Sequence, residues 1–238
     1  MKLHKQGTGI HISPKTERVL RIVIPVAYAL VYLAVFTWLE QRPVKEYHII
    51  RMELDSRIPF CEYFIVPYML WFLYIAATVV LFIFLDRKDY IRLCITLGTG
   101  MTVFLLISYF IPNMQPLRPK LEYFTRDNIF LDMVKALYAT DTCTNVFPSI
   151  HVYNSLAANF AIQKSRQLSN HKVLRIGSHI LCISIILSTM FLKQHSLFDV
   201  MTGTAMAAIM YWLVYYLPEA RADAVEESEE ELLKGIIH

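Results

Sequence analysis

Six long apolar segments, separated by short charged ones, dominate this sequence. They occupy about residues 20–39, 62–85, 93–111, 147–164, 175–193 and 197–217. Each approaches the roughly 20 residues that a helix needs to cross a bilayer. The chain is 55% hydrophobic and only 18% charged, whereas soluble domains have about 25% charged residues. The pattern therefore predicts an all-α integral membrane bundle of about six transmembrane helices.

The same pattern divides the chain into three parts. Residues 1–19 form a basic N-terminal segment, residues 20–217 the six-helix membrane domain, and residues 218–238 an acidic tail. The first apolar segment is longer than the core of a secretory signal peptide, so we expect it to be retained as the first span. The tail contains five closely spaced acids: Glu226, Glu227, Glu229, Glu230 and Glu231.

Lysine and arginine residues occupy three segments that alternate with longer loops in which acids and bases are mixed. An even number of spans places these segments, and both termini, on one side of the membrane. Basic loops mark the cytoplasmic side. We therefore expect a multi-pass protein of the cell membrane with both termini in the cytoplasm. The residues concerned are Lys2, Lys5, Lys15, Arg18, Arg21, Arg87, Lys88, Arg92, Lys164, Arg166, Lys172 and Arg175.

Composition also indicates which partners to expect. The net charge of +3, without a basic stripe bearing aromatic residues, argues against a nucleic-acid partner. The cysteines lack metal-ligand spacing, and no carboxylate cluster of the kind that magnesium favours is present, so neither a metal nor a cofactor is expected. Cys61 and Cys143 fall near one predicted surface and could form a bridge. The alternative is that all four cysteines are small apolar residues. The oligomeric state is left open.

Three polar clusters fall on the side opposite to the basic segments. The first, residues 115–119, follows the third span, and the second, residues 147–151, opens the fourth. The third, residues 193–199, lies where the fifth span turns into the sixth. Because the charge bias alone sets the topology, this agreement supports a common site at the outer face of the membrane.

His195 and Asp199 are the strongest catalytic candidates. Four residues apart, they share one face of a helix. The carboxylate would accept a hydrogen bond from one imidazole nitrogen and leave the other free as a nucleophile. Ionisable residues within a membrane are usually functional. The alternative is an interfacial histidine and a helix-orienting aspartate without chemistry.

The other two clusters offer groups suited to a phosphate. Pro148 marks a helix start, where free N–H groups attract an anion. Ser149 would add a hydroxyl donor, and His151 could be a general acid. Arg118 offers the paired donors of a guanidinium. The alternatives are an ordinary proline start with a surface histidine, and an interfacial arginine that reaches for lipid headgroups.

Taken together, the clusters resemble the three signature segments of the type 2 phosphatidic acid phosphatase (PAP2) superfamily. In that family the first segment ends in Arg-Pro, and the second reads Pro-Ser-Gly-His. The third has a serine, then a histidine, then an aspartate four residues further on. The resemblance spans about residues 113–203, and the matching residues are Arg118, Pro119, Pro148, Ser149, His151, Ser188, His195 and Asp199.

Three positions depart from the family pattern. Ile111 stands where the family has a lysine, Ile150 where it has a glycine, and Thr189 where it has an arginine. Two phosphate-binding cations are thus missing, and Lys193 is the candidate substitute. The stretches around His151 and His195 are most similar to the inositol phosphorylceramide synthase-like branch.

The resemblance implies a mechanism. His195 would attack phosphorus and form a phosphohistidine, and Asp199 would orient it. His151 would protonate the leaving alkoxide and then activate the acceptor. Arg118, Ser149 and Lys193 would bind the phosphate, and no metal would be needed.

Three functions fit these residues. The first is hydrolysis of a membrane lipid phosphate or diphosphate, favoured by a compact chain without an added acceptor domain. The second is transfer of a phosphorylated headgroup to the hydroxyl of another lipid, as in an inositol phosphorylceramide or sphingomyelin synthase, favoured by the reduced number of cations. The third is a non-catalytic membrane transporter or scaffold, because polar residues at the bilayer edge also line substrate paths.

Overall fold

The computed structural model describes residues 13–225, which fold into an all-α bundle suited to a membrane. Two short strands, β1 (His48–Ile49) and β2 (Asn113–Met114), pair in parallel. The bundle confirms the predicted fold class. Its helices are α1 (Pro14–Gln41), α2 (Ile65–Ile83), α3 (Arg87–Phe110), α4 (Ile129–Thr140), α5 (Ile150–Lys164), α6 (Lys172–Phe191) and α7 (Leu197–Tyr211), which continues through a π-helical turn (Trp212–Tyr216) to Val225.

Within residues 13–225, five helices are long and apolar enough to cross a membrane: α1, α2, α3, α6 and the extended α7. The predicted fourth span corresponds to α5, which has only 15 residues. At about 1.5 Å per residue, it is shorter than the roughly 30 Å hydrocarbon core. It packs against α2, α3, α6 and α7, and most of its residues are buried. Helices rather than lipid surround α5, so it accommodates Asn154, Ser155 and Asn159 in the protein interior.

The ends of the first and last helices differ from the predicted spans. α1 begins at Pro14 instead of residue 20, because the hydroxyl of Ser13 caps it by accepting from the Thr16 N–H (3.2 Å). α7 continues to Val225 instead of ending at residue 217. Residues 1–12 and 226–238, which include the five tail acids, lie outside the described residues.

α4 lies in a segment that the sequence assigns to a polar connection. The side chain of Asn128 caps it by accepting from the Leu131 N–H (2.9 Å). Leu131 and Val134 are buried, and Val134 packs in a cluster with Tyr68 and Leu192. α4 is thus an amphipathic helix that covers the start of α2.

The four cysteines are free thiols. Cys61 precedes α2 and Cys143 precedes α5, and the bridge that the sequence left open between them is absent. Cys94 and Cys182 lie within α3 and α6, where they act as small apolar residues.

Close contacts through glycine hold the start of α5 in place. A Cβ atom at Gly100 of α3 would lie 1.9 Å from the ring of Tyr153, and one at Gly203 of α7 would lie 2.7 Å from the carbonyl oxygen of Ser149. The Tyr153 hydroxyl donates to the Thr96 carbonyl (2.6 Å), one turn from Gly100. These approaches let α5 sit between α3 and α7, so that the first turns of α5 and α7 meet.

Several of the basic segments come together at the other end of the bundle. Arg21 donates to the carbonyl of Leu85 (2.9 Å). The N–H of Asp86 donates to the side chain of Gln167 (2.9 Å), just beyond the last residue of α5, Lys164. The charge-rich segments and the first turn of α5 therefore lie at opposite ends of that helix.

Candidate active site

His195, His151 and Asp199 form a row at the junction of α5 and α7. Nδ1 of His195 lies 3.4 Å from Oδ2 of Asp199, and Nε2 of His195 lies 3.4 Å from Nδ1 of His151. A carboxylate only accepts hydrogen bonds. The contact with Asp199 therefore requires the proton on Nδ1 of His195 and leaves a lone pair on Nε2, which faces His151.

The start of α7 orients Asp199. Ser196 caps the helix, and its N–H donates to Oδ2 of Asp199 (3.0 Å), the same oxygen that faces His195. Asp199 is completely buried. This capping box fixes the carboxylate by a backbone hydrogen bond, because the N3 side chain reaches back to the N-cap N–H.

The ring of His151 packs against two aromatic residues of α2. Its centroid lies 4.7 Å from that of Tyr68 and 4.3 Å from that of Trp71. The hydroxyl of Tyr68 donates to Oδ2 of Asp141 (2.9 Å). Since Tyr68 and Trp71 are three residues apart, they share one face of α2. No sequence motif marks these two aromatics, so their contact with His151 was missed.

Ser149 lies near His151, but its side chain caps the start of α5. Its hydroxyl oxygen accepts from the N–H of Val152 (3.4 Å), and its side chain is buried. Its own N–H donates to the carbonyl of Asp199 (3.2 Å), which joins the two helix starts. In this structure Ser149 therefore caps α5 and does not line the cavity next to His195.

Arg118 forms hydrogen bonds with residues that border the site. Its guanidinium donates to the carbonyls of Asp141 (2.8 Å) and Thr142 (2.6 Å) and to the side chain of Gln194. It also stacks on the ring of Tyr138, 4.5 Å from the centroid. Asp141, Thr142 and Gln194 line the cavity, whereas Arg118 does not.

Lys193 is not at the predicted phosphate-binding position. Its ammonium donates to the carbonyls of Asp55 (2.6 Å) and Ile58, and the residue is only 9% exposed. Burial lowers the pKa of Lys193, and the neighbouring Asp55 carboxylate acts in the opposite direction. The backbone of Lys193 is left-handed (φ 53°) where the chain leaves α6, which agrees with a side chain directed to the loop before α2.

A cavity of about 390 Å³ opens next to the two histidines. Its walls are mostly apolar and come from α1, α2, α3 and α4, while His151 and His195 lie among its polar residues. This shape suits a lipid, because an apolar chain and a polar head need different surroundings. The lining residues are Tyr32, Leu33, Phe36, Tyr68, Met69, Trp71, Phe72, Phe104, Leu137, Thr140, Asp141, Thr142, Thr144, Asn145, Val146, Ile150, His151, Gln194 and His195.

The charges around this cavity are unusual for a phosphate site. No lysine or arginine side chain from residues 13–225 lines it, whereas Asp141 does. Glu40, at the end of α1, accepts from the side chains of Thr142, Thr144 and Asn145. The groups that favour an anion are therefore the histidines and the N-terminal N–H groups of α5, which begins with Ile150 and His151 in the cavity wall.

Asp55 is a further site residue that sequence reasoning missed. It lies in the short helical turn Glu53–Ser56 and is 2% exposed. Its carboxylate accepts from Ser196 and from the N–H of Leu197, on either side of the start of α7. No local motif marks it, because its partners are about 140 residues away in the chain.

Comparison with known families agrees with this geometry. The family model described as the PAP2 superfamily matches residues 98–223, from the middle of α3 to the end of α7. Neither the curated proteins nor the solved structures include a significant match. The matched region holds His151, His195 and Asp199. The chain belongs to the PAP2 superfamily, and it is accordingly a membrane-embedded protein of the phosphatase and phosphotransferase class.

Proposed function

We propose that this protein is a membrane lipid phosphatase that hydrolyses a lipid phosphate or diphosphate through a phosphohistidine on His195. The observation that carries the proposal is the row of His151, His195 and Asp199 at the polar part of an apolar cavity. A nucleophile within reach of one proton carrier and oriented by a third group is the arrangement that covalent catalysis requires.

The first half of the reaction uses the lone pair on Nε2 of His195. A new N–P bond forms as the bond from phosphorus to the lipid oxygen breaks, and the bonding electrons leave with that oxygen. His151, with its Nδ1 3.4 Å from Nε2, supplies the proton that the leaving alkoxide needs. Asp199 stabilises the positive charge that develops on the His195 ring.

The second half returns the enzyme to its starting state. His151, now neutral, takes a proton from a water molecule as that water attacks phosphorus. The N–P bond breaks, its electrons return to Nε2, and inorganic phosphate leaves. Each step moves one proton through His151, which explains why the two rings need to be neighbours.

The apolar walls support a lipid as the substrate. Leu33 and Phe36 of α1 and Met69 and Phe72 of α2 all line the cavity. Burial of one lipid methylene group contributes about 0.8 kcal/mol. The acyl part would therefore bind between these helices while the phosphate reaches His195, and the bilayer is the source of the substrate.

Transfer to a second lipid is the alternative, and the charge of the cavity favours it. A terminal phosphate carries nearly two negative charges at neutral pH, whereas a phosphodiester carries one. A cavity lined by Asp141 but by no lysine or arginine from the described residues suits the phosphodiester better. This reading agrees with the resemblance to the inositol phosphorylceramide synthase-like branch.

Product analysis distinguishes hydrolysis from transfer. Purified protein in detergent would be incubated with ³²P-labelled lipid monophosphates, lipid diphosphates and phosphodiester lipids, with a lipid alcohol as acceptor and EDTA present. Free phosphate as the labelled product supports the phosphatase, and a new labelled lipid supports transfer. If folded protein yields neither from any donor, the catalytic proposal fails and a transporter or scaffold takes its place.

We further propose that the site faces the outside of the cell. The support is the separation of Arg21 and Lys164 from the histidines at the opposite end of α5, combined with the positive-inside rule. In intact cells that express a variant with all four native cysteines replaced by alanine, a membrane-impermeant maleimide should label an introduced Glu122→Cys in the loop before α4. Lys88→Cys, at the basic end, should react only after permeabilisation. The reverse pattern would contradict this orientation.

A further inference from the structure

Hydrogen bonds join the loop between α1 and α2 to the segment that carries His195. Oδ2 of Asp55 accepts from the hydroxyl of Ser196 (2.6 Å) and from the N–H of Met52 (2.6 Å). Oδ1 accepts from the N–H of Leu197 (2.7 Å). One buried carboxylate therefore accepts a hydrogen bond from each of the two residues that follow His195. Hydrogen bonds to a charged group are stronger than those between neutral groups.

The same loop also forms hydrogen bonds with the residues that precede His195. The ammonium of Lys193 donates to the carbonyls of Asp55 and Ile58. Two residues before Lys193, the carbonyl of Phe191 accepts from the N–H of Cys61 (3.0 Å). The same loop thus holds the chain before and after His195.

The most direct path from Asp55 to the catalytic row runs through Ser196. Ser196 donates its hydroxyl to Asp55, and its own N–H donates to the Asp199 oxygen that faces His195. A rotation of Ser196 would therefore move the Asp199 contact and turn the imidazole. Misplacement of a reacting group by 1 Å lowers the rate by about 100-fold.

We propose that Asp55 is a positioning residue for His195. By holding Ser196 and the first N–H of α7, it sets the angle at which Asp199 meets the imidazole. Lys193 supports this arrangement by holding the Asp55 loop and makes no contact with the phosphate. The proposal rests on the assignment of His195 as the nucleophile.

A double-mutant cycle tests this role. Asp55→Asn preserves the size of the side chain but turns one acceptor into a donor, opposite Ser196 or Leu197. We expect kcat to fall by about 10- to 100-fold, with KM changed by less than about twofold. Glu53→Gln, an exposed acid of the same turn, is the matched control and should leave both constants unchanged.

The cycle is completed with Ser196→Ala. If Asp55 acts through Ser196, the double variant should lose little more than the more damaging single variant, because residues that share one path are not additive. Independent losses that multiply, or an Asp55→Asn variant that lowers only the unfolding temperature, would overturn the proposal. Should Asp55→Asn fail to fold, Ser196→Ala alone must show the fall in kcat.

The imidazole of His195 gives a readout that does not depend on turnover. In ¹⁵N-histidine NMR spectra, Asp55→Asn should change the Nδ1 and Nε2 shifts of His195 and leave those of exposed His171 unchanged. Unchanged His195 shifts would overturn the positioning role. If the wild-type protein turns over no lipid but the shifts respond, the proposed function has failed and the positioning of His195 by Asp55 stands.

Discussion

Replacing His195 by alanine should reduce turnover by about 10⁴-fold or more, because the bond-forming atom is lost. The activity would be measured as release of product from the best lipid donor found in the panel. His171→Ala, which removes an exposed histidine at the other end of the bundle, should retain full activity. Since His195 is nearly buried beside α7, the unfolding temperature of the variant has to be compared with that of the wild type.

Covalent trapping makes the test of His195 sharper. Wild-type protein mixed with ³²P-labelled lipid and denatured at once in alkali should carry a label that acid removes, as a phosphohistidine does. His195→Ala should carry none, and His171→Ala should carry the wild-type amount. Label that persists in His195→Ala would assign the nucleophile to another residue.

Replacing His151 by alanine should lower kcat by about 10²- to 10⁴-fold on natural lipids, the usual contribution of general acid–base catalysis. The loss arises because the alkoxide leaves without a proton. Nitrophenyl phosphate, an ester in which nitrophenolate replaces the lipid alkoxide, needs no proton for its leaving group, so formation of the phosphohistidine should be largely spared. The burst of nitrophenol in a rapid-mixing experiment measures that step.

Comparison of the natural lipid with the nitrophenyl ester distinguishes loss of proton transfer from loss of packing around the cavity. His151 lies against Tyr68 and Trp71, so its removal could also loosen the cavity. Tyr68→Phe, which keeps the ring beside His151 but removes the hydroxyl bond to Asp141, serves as the packing control. If His151→Ala slowed the burst with the nitrophenyl ester as much as turnover of the natural lipid, the general-acid role would be wrong.

The sequence predicted the helices wherever hydropathy alone decides the structure. The long apolar segments became α1, α2, α3, α6 and α7, because lipid-facing helices need apolar surfaces along their length. α5 was also located, but its depth inside the bundle was not, since burial by other helices depends on contacts far apart in the chain. α4 was missed because its apolar residues recur at helical spacing within a segment judged polar as a whole.

In the candidate site, too, the contact between residues close in sequence was predicted and the contacts between distant residues were not. The spacing of His195 and Asp199 predicted that they share a face, and the two lie 3.4 Å apart. Lys193 was placed by its closeness in sequence to His195, but a left-handed backbone and two distant carbonyls direct its ammonium elsewhere. Asp55 carried no local signal, because only the folded chain brings it to Ser196.

The packing of Trp71 on His151 gives the site its own optical reporter. An indole in contact with an imidazole changes its emission when the neighbouring ring gains a proton or a bound molecule displaces solvent. Trp38 and Trp212, the other two tryptophans of the chain, lie on the outer surface of the bundle, 54% and 50% exposed. The fluorescence of Trp38 and Trp212 should stay constant when the cavity is filled. The change in Trp71 fluorescence would therefore report occupancy of the cavity in real time, without an added label.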